Sequence, residues 1–323
     1  MSTAPVSHTE HVVDVAGRSV RVQVQGDGPP LLLINGLGAN ISMWAPLLPE
    51  LADFTVISFD APGTGRSPAP FRPYTLAHVA NVAVRVLDAL GLDAVDVLGY
   101  SLGGGVAQQL AHDHPDRVRR LVLVSTSCGA GSVPGSLVAL MAVMTPARHH
   151  ARAGYRVAMN MVNLAPAEKE SDFLRRQTDG WHHGSPPSTR GYMLQMTAFS
   201  LFNSLPWLHR VKQPTLLLSG SHDRIIPMAN SAVLAAYLPR ARLRIVDRWG
   251  HYLLHDAASG AGRHIADFLS AEDHTTSEAW TGARSVDQEE MRKLVRASPR
   301  SAHYTQYTNG FVRRMYPIQD EGE

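Results

Sequence analysis

The sequence is poor in several features, and each shortage narrows what the chain can be. One cysteine, Cys128, occurs in 323 residues. No internal disulfide can therefore form, and a reducing compartment is favoured. No stretch approaches the roughly 18 uninterrupted apolar residues that a membrane-spanning helix needs. The first residues, MSTAPVSHTEHVV, lack the basic and apolar regions of a secretory signal, so the expectation is a cytoplasmic protein. An excess of charge of either sign is also missing. Lys and Arg number 30 against 28 Asp and Glu, a net charge of +2, which leaves no basic field for nucleic acid. Metal-ligand spacing is absent: His149-His150 and His182-His183 are adjacent pairs rather than helical i, i+4 pairs, and neither a metal nor an organic cofactor is expected. No repeat or low-complexity tract interrupts the chain.

Apolar residues make up 44% of the chain and charged residues 18%, an ordinary globular composition with enough length for a large core. HVVDV and SVRVQVQG alternate and read as an antiparallel pair joined near Gly17. PPLLLING, FTVISFDAPG, DAVDVLGYS, RVRRLVLVSTS, QPTLLLSGSHD and ARLRIVDRWGH are near-continuous apolar runs that end at turn residues. Such runs suit strands buried on both faces. Helical patterns lie between them: TLAHVANVAVRVLDALGL stopping near Gly91, GGGVAQQLAHDHPDR stopping before Pro115, and AASGAGRHIADFLS. The alternation predicts an α/β fold, a mostly parallel eight-stranded sheet with helices on both faces.

The alternation breaks between residues 129 and 206. This stretch is helical in tone, with prolines at 134, 146, 166, 186 and 187 and six of the eleven methionines, Met141, Met144, Met159, Met161, Met193 and Met196. It reads as a helical cap insertion that divides the core into residues 1–128 and 207–270. Its methionines either fill helix cores or form a deformable apolar surface for a flexible ligand. Residues 271–323 are a C-terminal extension. SAEDHTTSEAWTGARS reads as a polar linker, and SVDQEEMRKLVRAS as a short helix with Ser285 as its cap and Gln288 completing the box. HYTQYTNGFVRRMYP mixes Tyr304, Tyr307 and Phe311 with Arg313 and Arg314. This stretch either packs on its own domain or docks on a partner subunit or a hydrophobic granule surface.

The chemistry concentrates at VLGYSLGGG. Gly99-Tyr100-Ser101-Leu102-Gly103 matches the nucleophile-elbow pattern, and it stands where a buried strand gives way to a helix. The strand must end, the serine must sit on a tight turn and a helix must start at once, so bulky side chains two residues away would collide. A serine hydroxyl needs a base to act as a nucleophile at neutral pH. His251 follows Gly250 just past a strand-like run, and Asp223 follows PTLLLSG at another strand end. All three residues lie beyond the C-terminal ends of parallel strands, where open α/β sheets build their sites. Asp223 can alternatively cap the next helix. His222, and His255 in the predicted last helix, are rivals for the base, and Asp256 for the acid. The oxyanion of acyl transfer needs backbone donors, worth roughly 3 kcal/mol each. The Leu102 amide and the Leu37 amide of INGLGAN are the candidates. Asn35, Gly36 and Tyr100, beside the elbow, and Met144 and Met196, in the insertion, are the expected substrate contacts.

With these residues in place the chain resembles an α/β-hydrolase over about residues 10 to 270. FDAPGTGRS, residues 59 to 67, is similar to that family's Asp-x-x-Gly-x-Gly-x-Ser loop, and Asn35-Gly36 stands where many members have His-Gly. A closer resemblance is to the intracellular medium-chain-length poly(3-hydroxyalkanoate) depolymerases, through NGLGAN, FDAPGTGRSPAPFRPY, AQQLAHDHPDRVRRLVLVSTSCGAGSVPG and WLHRVKQPTLLLSGSHDRIIP. The resemblance implies a serine ester hydrolase with Ser101 as nucleophile, His251 as base and Asp223 orienting it, acting on polyhydroxyalkanoate or its oligomers. Two other readings stand beside it. One is a general carboxylesterase, lactonase or carbon-carbon bond hydrolase, and the other is a non-catalytic granule-surface binding protein.

Overall fold

A two-residue alternation inside the apolar runs decides the architecture. Leu31 and Leu33 face one side of the sheet and Leu32 and Ile34 the other, and all four are buried. Such a run can only be a strand covered on both faces. A computed structural model describes residues 8–145, 165–170 and 187–298. In it the strands are β1 (His8–Asp14), β2 (Ser19–Gln25), β3 (Pro30–Ile34), β4 (Thr55–Phe59), β5 (Val95–Tyr100), β6 (Val118–Val124), β7 (Thr215–Gly220) and β8 (Ala241–Val246). They form one eight-stranded sheet in the order β1-β2-β4-β3-β5-β6-β7-β8. β2 pairs antiparallel with β1 and β4, and every other pairing is parallel. The expected mostly parallel eight-stranded sheet is the one found.

Helices α1 (Leu76–Ala89) and α2 (Leu102–Asp113) cover one face. Thr75 starts α1 by accepting the His78 amide at 3.3 Å, and Gly91, at φ +68°, turns the chain away after it. On the same face lie α6 (Ala229–Tyr237) and α9 (Gln288–Ala297), whose Met291 and Val295 join the core. The opposite face is covered by Trp44, Leu47 and Leu51 together with α7 (Ala261–Ser270) and α8 (Glu278–Thr281). Between β6 and β7 the described chain includes α3 (Leu137–Met144), α4 (Pro166–Glu170) and α5 (Thr189–Ser200). Pro146, His149, His150, Met159, Met161, His182, His183 and Pro186 lie outside the described residues.

Three local expectations are corrected. Residues 270–285 are not a linker. Ala279, Trp280 and Ala283 are buried, and Trp280 stacks on Phe268 of α7 with ring centroids 5.6 Å apart. A polar average concealed one tryptophan large enough to anchor the segment. The helix after it begins at Gln288 and is capped by Asp287, which accepts the Glu290 amide at 2.7 Å, rather than by Ser285. His255 belongs to a short 3-10 turn, Leu253–His255, and not to the last core helix, which starts only after Gly260. Tyr304, Tyr307, Phe311, Arg313 and Arg314 lie outside the described residues.

The glycines of the elbow are required by close approach. A Cβ on Gly103 would stand 2.0 Å from the Ile34 carbonyl oxygen, and one on Gly99 only 2.5 Å from the Gly103 carbonyl oxygen and 2.6 Å from Ala107 Cβ. The first turn of α2 therefore rests directly on the end of β3. Backbone cannot swing aside as a flexible side chain can, so Gly103→Ala is expected to lower the unfolding free energy by at least about 1–3 kcal/mol. Urea denaturation of the variant beside the wild type measures this.

Candidate active site

Ser101 sits between β5 and α2 with φ +54° and ψ −119°, a conformation a non-glycine residue adopts at a cost of about 1–3 kcal/mol. Hydrogen bonds on both sides hold it there. The Ser101 amide donates to the Val124 carbonyl at 2.9 Å, and its carbonyl accepts from the Gly104 amide at 2.9 Å and the Thr126 hydroxyl at 2.7 Å.

The loops after β7 and β8 bring the partners to it. His251 Nε2 is 3.1 Å from Ser101 Oγ, and His251 Nδ1 is 2.8 Å from Asp223 Oδ2. A carboxylate only accepts, so Asp223 keeps the ring proton on Nδ1 and leaves Nε2 free to accept from the serine. The other Asp223 oxygen accepts the Ile225 and Ile226 amides at 2.9 and 2.8 Å. Asp223 thus holds its own turn with one oxygen and orients the histidine with the other. The rivals lie elsewhere. His222 is exposed and bonds to Ser221, Asp256 accepts the Ala258 amide, and His255 is buried behind the ring of Tyr100.

The candidate oxyanion donors flank the serine. Leu102 opens α2, so its amide belongs to the first helical turn, where no intrahelical acceptor exists. Leu37 lies in the loop after β3, which passes against Ser101: a Cβ on Gly36 would be 3.5 Å from Ser101 Cβ and 3.1 Å from the Tyr100 ring. That loop is held from the inserted segment. Gln195 of α5, only 2% exposed, accepts the Gly38 amide at 2.8 Å.

Two of the expected substrate contacts are engaged inside the protein instead. Asn35 is 4% exposed, donates to the Phe59 carbonyl at 3.2 Å and accepts from the Trp44 indole, so its amide braces the loop after β3. The Tyr100 hydroxyl donates to the His251 carbonyl at 3.0 Å while its ring lies 5.3 Å from the imidazole. It supports the histidine from below. Gly36 is buried between them, Met144 is 56% exposed at the end of α3, and Met196 is half-buried on α5.

Glu168 of α4 is a residue the sequence reading passed over. It is 2% exposed, and its carboxylate accepts the amides of Gly250 and Tyr252, the neighbours of His251, at 3.2 and 2.9 Å, and that of Ala165 at 2.9 Å. Burial pushes its carboxyl above the ordinary value; the Ala165 and Tyr252 amides pull it back, the Asp223 charge pushes it up again, and His251 draws it down. Its local sequence, PAEKE, reads as a solvated charge run and gives no signal of this contact. Among the described residues no group of three or more His, Cys, Asp or Glu is placed to hold a metal ion, and no helix is long and apolar enough to cross a membrane.

A strained serine at a strand-helix elbow, bonded through an imidazole to a buried carboxylate, is the arrangement of a hydrolase. A family model described as alpha/beta hydrolase fold matches residues 29–258, and the chain belongs to that family. It is 36% identical over 275 residues, 83% of this chain and 95% of the relative, to a poly(3-hydroxyalkanoate) depolymerase of Ectopseudomonas oleovorans. To a 2-hydroxymuconate semialdehyde hydrolase of Pseudomonas sp. (strain CF600) it is 31% identical, over 80% of this chain and 93% of the relative. The crystal structure of the enol-lactonase from Burkholderia xenovorans LB400 superposes with a TM-score of 0.68 at 26% identity, over 81% of this chain and 100% of that one.

His255 generates a prediction about acid. Burial, and secondarily the neighbouring His251, hold its pKa down to about 4 from an ordinary 6.5. The unfolded chain takes up this proton near pH 6.5, whereas the fold resists it until about pH 4. The contribution is therefore complete above pH 6.5 and is lost as pH falls towards 4. Melting temperature should fall over that window, and His255→Gln should flatten the fall; differential scanning fluorimetry of both proteins across the window measures it.

Proposed function

We propose that the protein is a serine ester hydrolase acting on polyhydroxyalkanoate or hydroxyalkanoate oligomers. The observation that carries this reading is the hydrogen-bonded line from Ser101 through His251 to Asp223, at 3.1 and 2.8 Å. Ser101 Oγ attacks the ester carbonyl and His251 Nε2 takes its proton. The carbonyl oxygen becomes an oxyanion between the Leu102 and Leu37 amides. Collapse breaks the ester C–O bond, and the proton on Nε2 passes to the leaving alkoxide to give a free hydroxyl. Water, deprotonated by the same nitrogen, then hydrolyses the acyl-enzyme, and Ser101 recovers its proton. Asp223 keeps its bond to Nδ1 throughout and stabilises the imidazolium.

Two further observations support the substrate class. One is the relative at 36% identity, itself a poly(3-hydroxyalkanoate) depolymerase that this chain covers almost completely. The other is the apolar surface of the insertion between β6 and β7, read as a cap over the site. Leu137, Val138, Met141 and Met144 of α3 and Met193 of α5 are all exposed large hydrophobics. Unbranched, polarisable methionines adapt to a flexible acyl chain. A second reading, a lactonase or carbon-carbon bond hydrolase, draws on the 2-hydroxymuconate semialdehyde hydrolase and enol-lactonase likenesses.

Purified enzyme tested on 3-hydroxyalkanoate oligomers beside short acyl esters, lactones and 2-hydroxymuconate semialdehyde is expected to prefer the oligomers. A preference for the semialdehyde or the lactones would transfer the assignment to the second reading. Ser101→Ala is expected to lower kcat on p-nitrophenyl octanoate on the order of 10⁵- to 10⁶-fold while the protein still folds. Retained turnover would remove Ser101 from its role. Failure of the wild type to react with a fluorophosphonate would favour the granule-binding reading.

A further inference from the structure

Inferring a role for the inserted segment at the reacting atoms rests on the triad just proposed. Among the described residues of the segment, the buried polar side chain that reaches the histidine loop is an acid. Glu168 Oε1 accepts the Gly250 amide at 3.2 Å and the Tyr252 amide at 2.9 Å. These are the amides of the two residues on either side of His251. A third bond runs the other way, from the Ala167 amide of α4 to the Arg248 carbonyl at 3.1 Å. From the core side the Tyr100 hydroxyl donates to the carbonyl of His251 itself at 3.0 Å. The histidine backbone is thus gripped from above by the inserted helix and from below by the residue before the nucleophile.

Three details indicate a built contact. Glu168 is 2% exposed, and an ionisable group is buried this deeply only where its bonds are met. Its second oxygen is also used, accepting the Ala165 amide at 2.9 Å, which ties the carboxylate to the start of its own helix. The facing residue has moreover no side chain. A Cβ on Gly250 would stand 2.8 and 3.0 Å from the two Glu168 oxygens, so a glycine is what lets the loop and the carboxylate meet.

We propose that Glu168 is a positioning residue for His251: by holding the Gly250 and Tyr252 amides it sets the depth and tilt of the imidazole between Ser101 and Asp223. The residue touches no substrate. Its effect is on the rate of proton transfer and not on the affinity for the ester.

The test uses the full chain with p-nitrophenyl octanoate and a fluorophosphonate probe. Glu168→Ala is expected to lower kcat on the order of 10- to 100-fold with KM unchanged, the scale of a small misplacement of a reacting group. Its rate of fluorophosphonate labelling at Ser101 should fall in parallel. Glu168→Gln keeps an oxygen for the two loop amides and should recover most of the loss. Gly250→Ala pushes the same contact apart from the other side, and its effect should not add to that of Glu168→Ala in the double variant. It also serves as the probe if Glu168→Ala does not fold. Unchanged kcat in both single variants, a rise in KM alone, no recovery with Gln, or additive losses would each overturn the proposal. The wild type separates the two levels. If it is not labelled at Ser101, the triad reading falls and takes this one with it. If it is labelled and the variants match it, only the role of Glu168 falls.

Discussion

The site depends on one backbone crossing. The first turn of α2 lies against the end of β3 so closely that not even a methyl group fits between Gly103 and the Ile34 carbonyl. That crossing sets the loop after β3 alongside Ser101, and it fixes where the helix must begin. Ser101 is left with the whole change of direction, at φ +54°, and is held to it by bonds to β6 and Thr126. Backbone strain of this kind persists only where the surroundings over-determine it. The parallel sheet provides that over-determination, because β3, β5 and β6 are neighbours and none can move alone.

Around that fixed serine the other groups are held by polar side chains that the fold has buried. Asn35 braces the loop after β3 against Phe59 and Trp44, and Gln195 fastens the same loop to α5. Asp223 divides its two oxygens between its own turn and His251. Asn35, Gln195 and Asp223 are each hydrogen-bonded, and a low-dielectric interior keeps polar groups on that condition. Three of these bonds end on main-chain amides of loops, at Gly38, Ile225 and Ile226, and loops carry little rigidity of their own. The side chains supply it.

What could be read in the sequence follows from how local each cause is. Strand runs, the antiparallel hairpin, the ends of α1 and α2 and the elbow are written in neighbouring residues, and they are found where the patterns placed them. Ser101, Asp223 and His251 were legible because each stands at a strand end, so the sheet topology carries them to one edge. Glu168 and Gln195 were not, because their partners are 82 or more residues away and nothing near them in sequence distinguishes a buried acid from a surface one. Asn35 and Tyr100 were expected at the substrate for the same reason: adjacency to the elbow is local, but the carbonyls they bond, Phe59 and His251, are not. The polar stretch after residue 271 misled because average hydropathy weighs Trp280 no more than its neighbours, whereas packing on Phe268 weighs it far more.

That last segment also has a bearing on how the molecule meets its own kind. β8 ends the sheet, and its outer rim would otherwise offer open peptide groups to any passing strand. Leu243 and Arg284 exchange both of their amide-to-carbonyl bonds there, at 2.8 and 2.9 Å. The returning chain thus occupies the middle of that rim as a two-bond plug. An incoming strand must first evict it and uncover Trp280, so the fold carries its own guard against sheet-to-sheet growth and aggregation.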